Sequence, residues 1–505
     1  MRLWICAVAL FTALIPSLFA ADPPPPRPIS LQECIEMALQ KNLDLRIERY
    51  NPQFALFNLA AARAGYEPTL SLSGEHDHSE SGSRILSGGF SIPGAKTDSD
   101  SFSGGLSGLT PWGMNYDINA NANEQYGQNF AFDTNVNQAV GLPFDSSQSS
   151  VALQVTQPLL KNLWIDSTRL NIAVAKNRVQ YSELALKSTI IDIVTRVELA
   201  YYDLEFGYEN LKVQQKALEL AQRLLDENRK RVQVGALAPL DEKQSESEVA
   251  ARQADLIAGQ RNLDTLENNL KQLVNDDFKS WSSQNLEPLD SLNAQSQLFD
   301  LQDSWTKGLT MRPDYLQAKL DLEQAGIQLK YNRNQLYPQL DAFGTFGYNG
   351  SGQEFSDALN EVNQRDRPYY VYGGRLVIPL GNGAARNRYN SAKAAREQSV
   401  LTLKKMEQDI MIQIDNAIKL AQSNYERIDA TRKAREYAEA ALAAEEKKLE
   451  NGKSTSFVVL SLQRDLTSAR SDEINALVQY KRSLSQLAQA EGTTLERRKI
   501  DLTVK

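Results

Sequence analysis

The chain has 505 residues, of which 42% are apolar, 23% charged and 8% aromatic, a composition that can bury a core and that excludes a disordered chain. Its net charge of −8 gives no general attraction to polyanions, so no nucleic-acid partner is expected. Only two histidines occur, His76 and His78, which excludes most metalloenzymes and catalytic triads.

Residues 1–20 have the pattern of an export signal peptide. Met1 and Arg2 precede an apolar run, and Ala20 ends a segment suited to cleavage. We therefore expect a mature chain that starts with a Pro-rich linker over 21–29; an uncleaved N-terminal anchor is the alternative. No later stretch of about 20 apolar residues could form a transmembrane helix, but a membrane β-barrel needs no such stretch.

The two halves of the chain repeat one order of elements. Pro338 follows Pro68 by 270 positions, and Pro379 follows Pro158 by 221, so the first half has 49 extra residues between its two prolines. Each half has the order helix, proline, alternating segment, proline, long helix, glycine turn and long helix. The predicted organisation is an internal duplication with these parts: a first repeat at 30–275, an equatorial segment at 276–304, a second repeat at 305–491 and a tail at 492–505.

Strands are predicted at 69–158 and 339–379, where apolar and polar residues alternate. Val151, Leu153 and Val155 are one example. Such a period suits a barrel with lipid outside and water inside, although a soluble sandwich has the same pattern. The stretches 79–101 and 123–150 are rich in Gly, Ser, Asn and Asp, which is typical of exposed loops. Segments 101–109 and 114–126 form either outer loops or an additional hairpin.

Two helical hairpins are predicted, at 164–275 and 384–491. Leu211 and Leu218 are seven residues apart, and so are Leu263 and Leu270 on the returning helix, which indicates coiled-coil packing. Some 70 residues without an internal proline correspond to about 100 Å of helix. Short turns that contain Gly235 or Gly452 connect the two helices of each hairpin.

Candidate chemical motifs do not add up to an active site. Gly381-Asn-Gly383 lacks the third glycine of a dinucleotide fingerprint, and the residues before Gly452-Lys453-Ser454 do not match a phosphate loop. His76 and His78 have acidic neighbours that could form a metal site, although an exposed loop edge is the favoured interpretation. Cys34 follows a Ser30 to Glu33 capping box and is expected to pack on its helix. We therefore expect no enzyme, cofactor or metal.

The duplicated order resembles that of the TolC-like outer-membrane efflux proteins over about residues 30 to 491. The residues that carry the resemblance are Gln157-Pro158-Leu159 and Ile378-Pro379-Leu380, followed by Arg169 and Arg386, and Val234-Gly235 followed by Asp241. The resemblance implies a mixed α+β membrane protein in the outer membrane. It also implies a homotrimer in which each chain gives four strands to a twelve-stranded transmembrane β-barrel, continued by a long α-helical coiled-coil barrel in the periplasm.

The same resemblance implies the function and the site residues. The protein would be a passive exit duct of a tripartite efflux or type I secretion system, joined by a periplasmic adaptor to an inner-membrane pump or ABC transporter. The periplasmic tip or gate would contain Gly235, Asp241, Gly452 and Lys453. The junctions between helices and barrel would lie at Pro68, Pro158, Pro338 and Pro379.

Two further arguments bear on this interpretation. Four to six strands from one chain cannot close a barrel with a lumen, so a membrane barrel would require several copies. A periplasmic coiled-coil scaffold or adaptor without a pore is the alternative, but it would not explain the alternating segments. The sequence leaves the transported substrate and the pump class open.

Overall fold

The structure, a computed structural model, describes residues 26–87, 89–133 and 138–500. In these ranges it combines long helices with β-sheet, as expected for a mixed α+β protein. The predicted signal peptide, residues 21–25 of the Pro-rich linker and residues 501–505 of the predicted tail lie outside the described residues.

The strands of the described ranges form one large sheet and two small ones. Their bounds are β1 Arg27–Ile29, β2 Thr69–Glu80, β3 Arg84–Ile85, β4 Ser91–Ile92, β5 Lys96–Leu109, β6 Asn115–Asp133, β7 Gln138–Pro158, β8 Leu286–Pro288, β9 Gln339–Gly352 and β10 Pro368–Val377. The large sheet has the order β10-β9-β7-β6-β5-β2, and every neighbouring pair in it is antiparallel.

The helices range from single turns to rods of more than 60 residues. Their bounds are α1 Leu31–Lys41, α2 Leu43–Glu48, α3 Tyr50–Arg63, α4 Ser167–Gln233, α5 Pro239–Val274, α6 Phe278–Trp281, α7 Leu301–Met311, α8 Pro313–Asn334, α9 Phe355–Gln364, α10 Gly383–Glu450, α11 Ser456–Glu491 and α12 Thr494–Arg497. Within the described ranges, no helix combines the length and the apolar composition that crossing a membrane requires.

The chain divides into two compact units. One contains the described residues of 47–189 and 305–413 and includes the large sheet. The other contains residues 26–46, 190–304 and 414–500 and includes the turns of both helical hairpins.

The large sheet corrects two expectations. It has six strands rather than the four that the resemblance implies, because 96–109 and 115–133 form a hairpin between β2 and β7. Most of 79–101 and 123–150 is strand rather than loop. Small polar residues suit a strand whose one face meets water, so a composition typical of loops did not distinguish the two states here.

The two faces of the large sheet differ in polarity. One row of directly paired residues crosses all six strands with an apolar side chain at every position: Leu70, Leu106, Ile118, Leu153, Phe346 and Tyr370. The adjacent row on the opposite face is mostly polar: Thr69, Ser107, Asp117, Gln154, Thr345 and Val371. Because side chains alternate along a strand, this register places the apolar residues together on one face.

Helix α9, in the connection between β9 and β10, packs on the apolar face of the sheet. The rings of Phe355 and Phe102 meet edge to face with centroids 5.7 Å apart. Ser149 Oγ donates a hydrogen bond of 2.6 Å to the carbonyl oxygen of Ala358. The exposed apolar residues of the face outside this contact include Leu72 and Tyr372, with exposed fractions of 77% and 81%.

In the other unit, the N-terminal segment packs against the equatorial segment. β1 pairs in parallel with β8. The buried Tyr201 hydroxyl of α4 lies 2.8 Å from Asp290 Oδ2, which also accepts a 2.9 Å hydrogen bond from the backbone N–H of Leu31. The Ser30 cap is confirmed by a 3.2 Å hydrogen bond from the N–H of Glu33, and Cys34 is buried as expected.

The two helices of the first hairpin pack closely. Leu211 of α4 and Leu263 and Leu270 of α5 are buried, as their spacing predicts. At Gly207, an added Cβ would lie 2.8 Å from the Leu266 side chain. An alanine at this position would therefore require the end of the Leu266 side chain to move.

Candidate functional site

The first hairpin turn is closed by backbone hydrogen bonds. The N–H of Ala236 donates to the carbonyl of Arg231 at 2.8 Å, and the N–H of Gly235 donates to that of Val232 at 3.0 Å. Gly235 has a φ of 76°, a left-handed conformation that favours glycine. Pro239 then starts α5 at a position where no helical N–H is lost.

The second turn has the same geometry 217 residues later. The N–H of Lys453 donates to the carbonyl of Lys448 at 2.8 Å, and that of Gly452 donates to Leu449 at 3.0 Å. The φ of Gly452 is 70°. Neither Gly235 nor Gly452 would bring an added Cβ near another atom, so backbone conformation alone accounts for glycine at both turns.

Polar side chains fix the first turn on one side. The buried Asn228 donates from Nδ2 to Ser245 Oγ at 2.8 Å, and the Ser245 hydroxyl donates to the carbonyl of Asp241 at 3.0 Å. Arg229 pairs with Glu242 at 3.1 Å, and the pKa of this guanidinium is raised chiefly by the hydrogen bond to that carboxylate. The candidate gate residue Asp241 therefore lies half-buried in the first turn of α5.

The second turn is fixed differently. The Glu445 carboxylate accepts hydrogen bonds from the Ser454 hydroxyl at 2.5 Å and from Lys448 Nζ at 2.8 Å. The bond from Lys448, and to a smaller extent that from Ser454, holds the pKa of this carboxyl below its usual value. Lys453, the other candidate gate residue, is exposed. At the position that corresponds to Asp241, this turn has the exposed Val458.

The two hairpins contact each other near their turns. Arg231 of α4 donates from Nη1 to the carbonyl oxygen of Leu449 at 3.0 Å. Arg464 of α11 pairs with Glu248 of α5 at 3.2 Å. A buried apolar cluster lies beside these contacts: Leu224, Leu442, Leu449, Val459, Leu460 and Leu466. The four predicted tip residues therefore belong to two turns joined by apolar and polar contacts.

The four junction prolines all lie at ends of strands in the large sheet. Pro68 and Pro338 immediately precede β2 and β9, Pro158 is the last residue of β7, and Pro379 follows β10 by two positions. Proline cannot donate to a strand ladder, so strand ends are where it is tolerated. The structure thus places all four prolines at or next to strand ends.

The Arg169 side chain connects the start of α4 to the turn between β5 and β6, at the strand ends where these junctions lie. The Arg169 guanidinium, in the first turn of α4, donates from Nε and Nη2 to the carbonyl oxygen of Pro111 at 3.0 and 2.7 Å. Its Nη1 donates to the carbonyl of Leu163 at 2.7 Å. Pro111 lies in the turn between β5 and β6, so Arg169 fixes that turn against the start of α4.

Sequence reasoning found Arg169 as part of a motif but missed its acceptors and the nearby asparagines. Asn162, with a φ of 67°, donates its backbone N–H to Asn334 Oδ1 at 2.7 Å. Asn382, with a φ of 43°, donates from Nδ2 to the carbonyl of Leu336 at 3.1 Å. Asparagine before a long helix was the available signal, because asparagine tolerates the left-handed region.

The two histidines lie in β2, not at a loop edge, and each faces an aspartate of β5. The Nδ1 atoms of His76 and His78 are 2.7 Å and 2.5 Å from the carboxylates of Asp100 and Asp98. Across the described ranges, no group of three His, Cys, Asp or Glu side chains is placed to hold a metal ion.

Comparisons with known proteins agree with this geometry. At the sequence level, the chain is 21% identical over 377 residues to outer membrane protein TolC of Vibrio cholerae serotype O1, which covers 73% of this chain and 82% of that protein. TolC of Escherichia coli K12 is 22% identical over 384 residues, with 73% and 74% coverage. At the structural level, the CmeC outer membrane channel of Campylobacter jejuni matches with a TM-score of 0.67 at 15% identity, covering 94% of this chain and 90% of that one.

The family assignment rests on a match over most of the chain. The sequence model of the family described as outer membrane efflux protein matches residues 119–276 and 307–493, which include the turns of both hairpins. The chain therefore belongs to the outer membrane efflux protein family, and it is an efflux exit duct of the outer membrane.

Proposed function

We propose that three copies of this chain form a passive channel that completes a tripartite efflux or type I secretion system. The strands of the three copies close a transmembrane β-barrel, and the helices continue it as a coiled-coil barrel in the periplasm. A periplasmic adaptor connects this trimer to an inner-membrane pump or ABC transporter, which supplies the energy. The duct itself needs no cofactor and catalyses no reaction.

The observation that carries the proposal is the two-faced sheet. One face is apolar and exposed at residues such as Leu72 and Tyr372, and the other is mostly Ser, Thr, Asn and Gln. A large exposed apolar face in water favours association, whereas in a bilayer it is the expected lipid contact. Since open sheet edges are not tolerated in lipid, the face also favours closure by further copies.

The two hairpins support an internal duplication. Two backbone hydrogen bonds close the turn at Gly235, and the same two bonds recur 217 positions later at Gly452. We propose repeats at 30–275 and 305–491, with the segment 276–304 and the tail 492–505 around the middle of the helical barrel. The prolines at 68, 158, 338 and 379 would mark the change from helix to barrel.

The turns are the proposed periplasmic tip. Gly235, Gly452 and Lys453 are exposed, and Asp241 is half-buried beside the first turn. Surface positions of this kind are available to an adaptor, whereas the buried cluster behind them keeps the turns together. Opening of the tip would separate the hairpins while each turn keeps its own backbone hydrogen bonds.

A charged substitution on each face of β2 tests the membrane assignment. Leu72→Lys places a charge on the apolar face and should strongly reduce the heat-modifiable trimer in the outer-membrane fraction, because lysine near the middle of a bilayer costs about 2 to 4 kcal/mol in each copy. Ser73→Lys, one residue later on the polar face, is the matched control and should leave trimer levels near normal.

The same fractionation tests the alternative. A periplasmic coiled-coil scaffold would be recovered as soluble protein, and both variants would then behave alike. Equal trimer levels for Leu72→Lys and Ser73→Lys in the outer membrane would contradict the assignment of the apolar face to lipid.

A further inference from the structure

We propose that each chain contributes six strands to the membrane wall, so that three copies close an eighteen-stranded barrel. The proposal rests on the trimeric channel proposed above and concerns the additional hairpin formed by β5 and β6. A four-stranded contribution would give twelve strands. The outer pore would accordingly be wider than a twelve-stranded one.

The additional hairpin is part of the sheet along its whole length. Every residue of β2 from Thr69 to Glu80 has a partner in β5. β6 pairs with β7 from Asn115 to Asp133. Only about ten residues of a tilted strand are needed to cross a bilayer, so both strands are long enough to do so. A hairpin that lay outside the wall would leave β2 and β7 paired with each other instead.

The hairpin also has the alternation of a membrane wall. Phe102 and Leu106 of β5 and Ile118 of β6 lie on the apolar face, in register with Leu70 and Leu153 of the flanking strands. Residues on the other face are small or polar: Ser101, Ser103, Gly105 and Ser107 of β5, and Asp117, Asn119, Asn121 and Asn123 of β6. The apolar face of the sheet therefore continues across the part of the hairpin from Phe102 to Ile118, whereas farther from the turn the same face carries Asp98, Asp100 and Glu124.

Hydrogen bonds fix the turn of the hairpin to the start of α4. Arg169 donates two hydrogen bonds to Pro111 within this turn, and Thr110 and Met114 close it with hydrogen bonds of 2.8 to 3.1 Å. At Gly113, with a φ of 89°, an added Cβ would lie 3.3 Å from Arg169 Nη2. These contacts hold the hairpin to the same helix that follows β7.

A second copy of the chain fits the two remaining edges. Among the described residues, β2 and β10 each have a neighbouring strand on one side only. Six alternating strands leave these edges antiparallel to each other, and both have large apolar residues on the same face, Leu70 and Leu72 on β2 and Tyr370 and Tyr372 on β10. Pairing β10 of one copy with β2 of the next therefore continues both the ladder and the apolar face.

The expected consequence is a wider outer pore with a polar lining. Barrel diameter grows roughly linearly with strand number, so eighteen strands give a diameter about 1.5 times, and a cross-section about 2.3 times, that of twelve. Hydroxyl and amide groups of β5 and β6 would line the added part of the lumen.

Engineered cysteine pairs decide between six and four strands. Ser73 Oγ and Ser103 Oγ are 2.6 Å apart, so Ser73→Cys with Ser103→Cys should form a disulfide within each chain of the purified trimer. Ser73 and Ser150 are separated by two strands, but they would be neighbours if β2 paired directly with β7 in the same rows. Native Cys34 is buried and should not interfere.

Disulfide formation by each cysteine pair is measured in purified trimers whose mass has been determined. A trimer in which Ser73→Cys/Ser103→Cys cross-links and Ser73→Cys/Ser150→Cys does not supports six strands. The reverse pattern, or no cross-link from Ser103→Cys, overturns the proposal and leaves the trimeric channel intact. A monomeric particle would instead refute the trimer itself.

Accessibility of the hairpin gives an independent readout. In outer-membrane vesicles, a membrane-impermeant maleimide should label Asn119→Cys at least tenfold faster than Ile118→Cys, since only the former faces the lumen. Equal rapid labelling of both would place the hairpin in water and overturn the proposal.

Discussion

The polar link between Asn228 and Ser245 should control how readily the first hairpin turn opens. Asn228 is fully buried, its Oδ1 has no hydrogen-bond partner among the described residues, and its Nδ2 has Ser245 Oγ at 2.8 Å. Ser245→Ala removes that partner and leaves a buried amide without one. A penalty of this kind is about 1 to 3 kcal/mol, which corresponds to a roughly 5- to 150-fold larger opening constant.

The double variant should cancel most of this effect. Asn228→Leu combined with Ser245→Ala replaces both polar partners by apolar groups, and such a replacement is close to neutral or stabilising. The opening constant should therefore return to within about threefold of the wild-type value, although the double variant differs more in sequence. With the Asn228→Leu single variant added, the double-mutant cycle isolates the coupling of the two side chains.

Hydrogen exchange of purified protein measures this opening. Amides of residues 225–250 should exchange faster in Ser245→Ala and near the wild-type rate in the double variant. Amides of residues 440–465 around the second turn are the internal reference and should not change, because Glu445 and Leu462 occupy the corresponding positions there. A double variant that exchanges as fast as Ser245→Ala would refute the reasoning.

Three further predictions concern buried or strained groups. Burial raises the pKa of Glu205 from 4.5 to about 7, so at intermediate pH the folded state keeps a proton that the unfolded state has lost. The free energy of unfolding should therefore fall by about 3 kcal/mol between pH 4.5 and 7.5. Chemical denaturation of Glu205→Gln should show no such fall. Gly235→Ala and Gly452→Ala should each cost about 1 kcal/mol because of their positive φ, whereas Gly82→Ala, whose added Cβ meets no atom, should be near neutral. Burial raises the pKa of Cys34 to about 12, so maleimide at pH 7 should label it only after denaturation.

The sequence predicted the hairpin turns because their signals are local. A glycine with a positive φ followed by a polar or proline-containing helix start occurs at Gly235 and again at Gly452, and the constant spacing identified the pair. The buried heptad positions Leu263 and Leu270 were also predictable, since a seven-residue apolar period is typical of helices that pack along their length.

The additional strands were not predictable from composition alone. β5 alternates Ser99, Ser101 and Ser103 with Asp98, Asp100 and Phe102, and only the pairing with β2 and β6 shows that this segment is a strand. The acceptors of Arg169 were missed for a different reason. The carbonyl of Pro111 is a backbone group, so no residue type in the sequence signals that it will accept two hydrogen bonds.

The two turns share a backbone conformation but differ in their side chains. Both use the same two hydrogen bonds and a glycine with positive φ, yet the first turn continues with half-buried Asp241 and the second with exposed Val458. In the proposed trimer, acidic and apolar positions would therefore alternate around the periplasmic mouth. Mutual repulsion of three carboxylates favours a wider mouth, whereas exclusion of water from three valines favours a narrower one. Because these tendencies oppose each other, a partner that covers the valines would shift the balance toward the open mouth without having to break either turn.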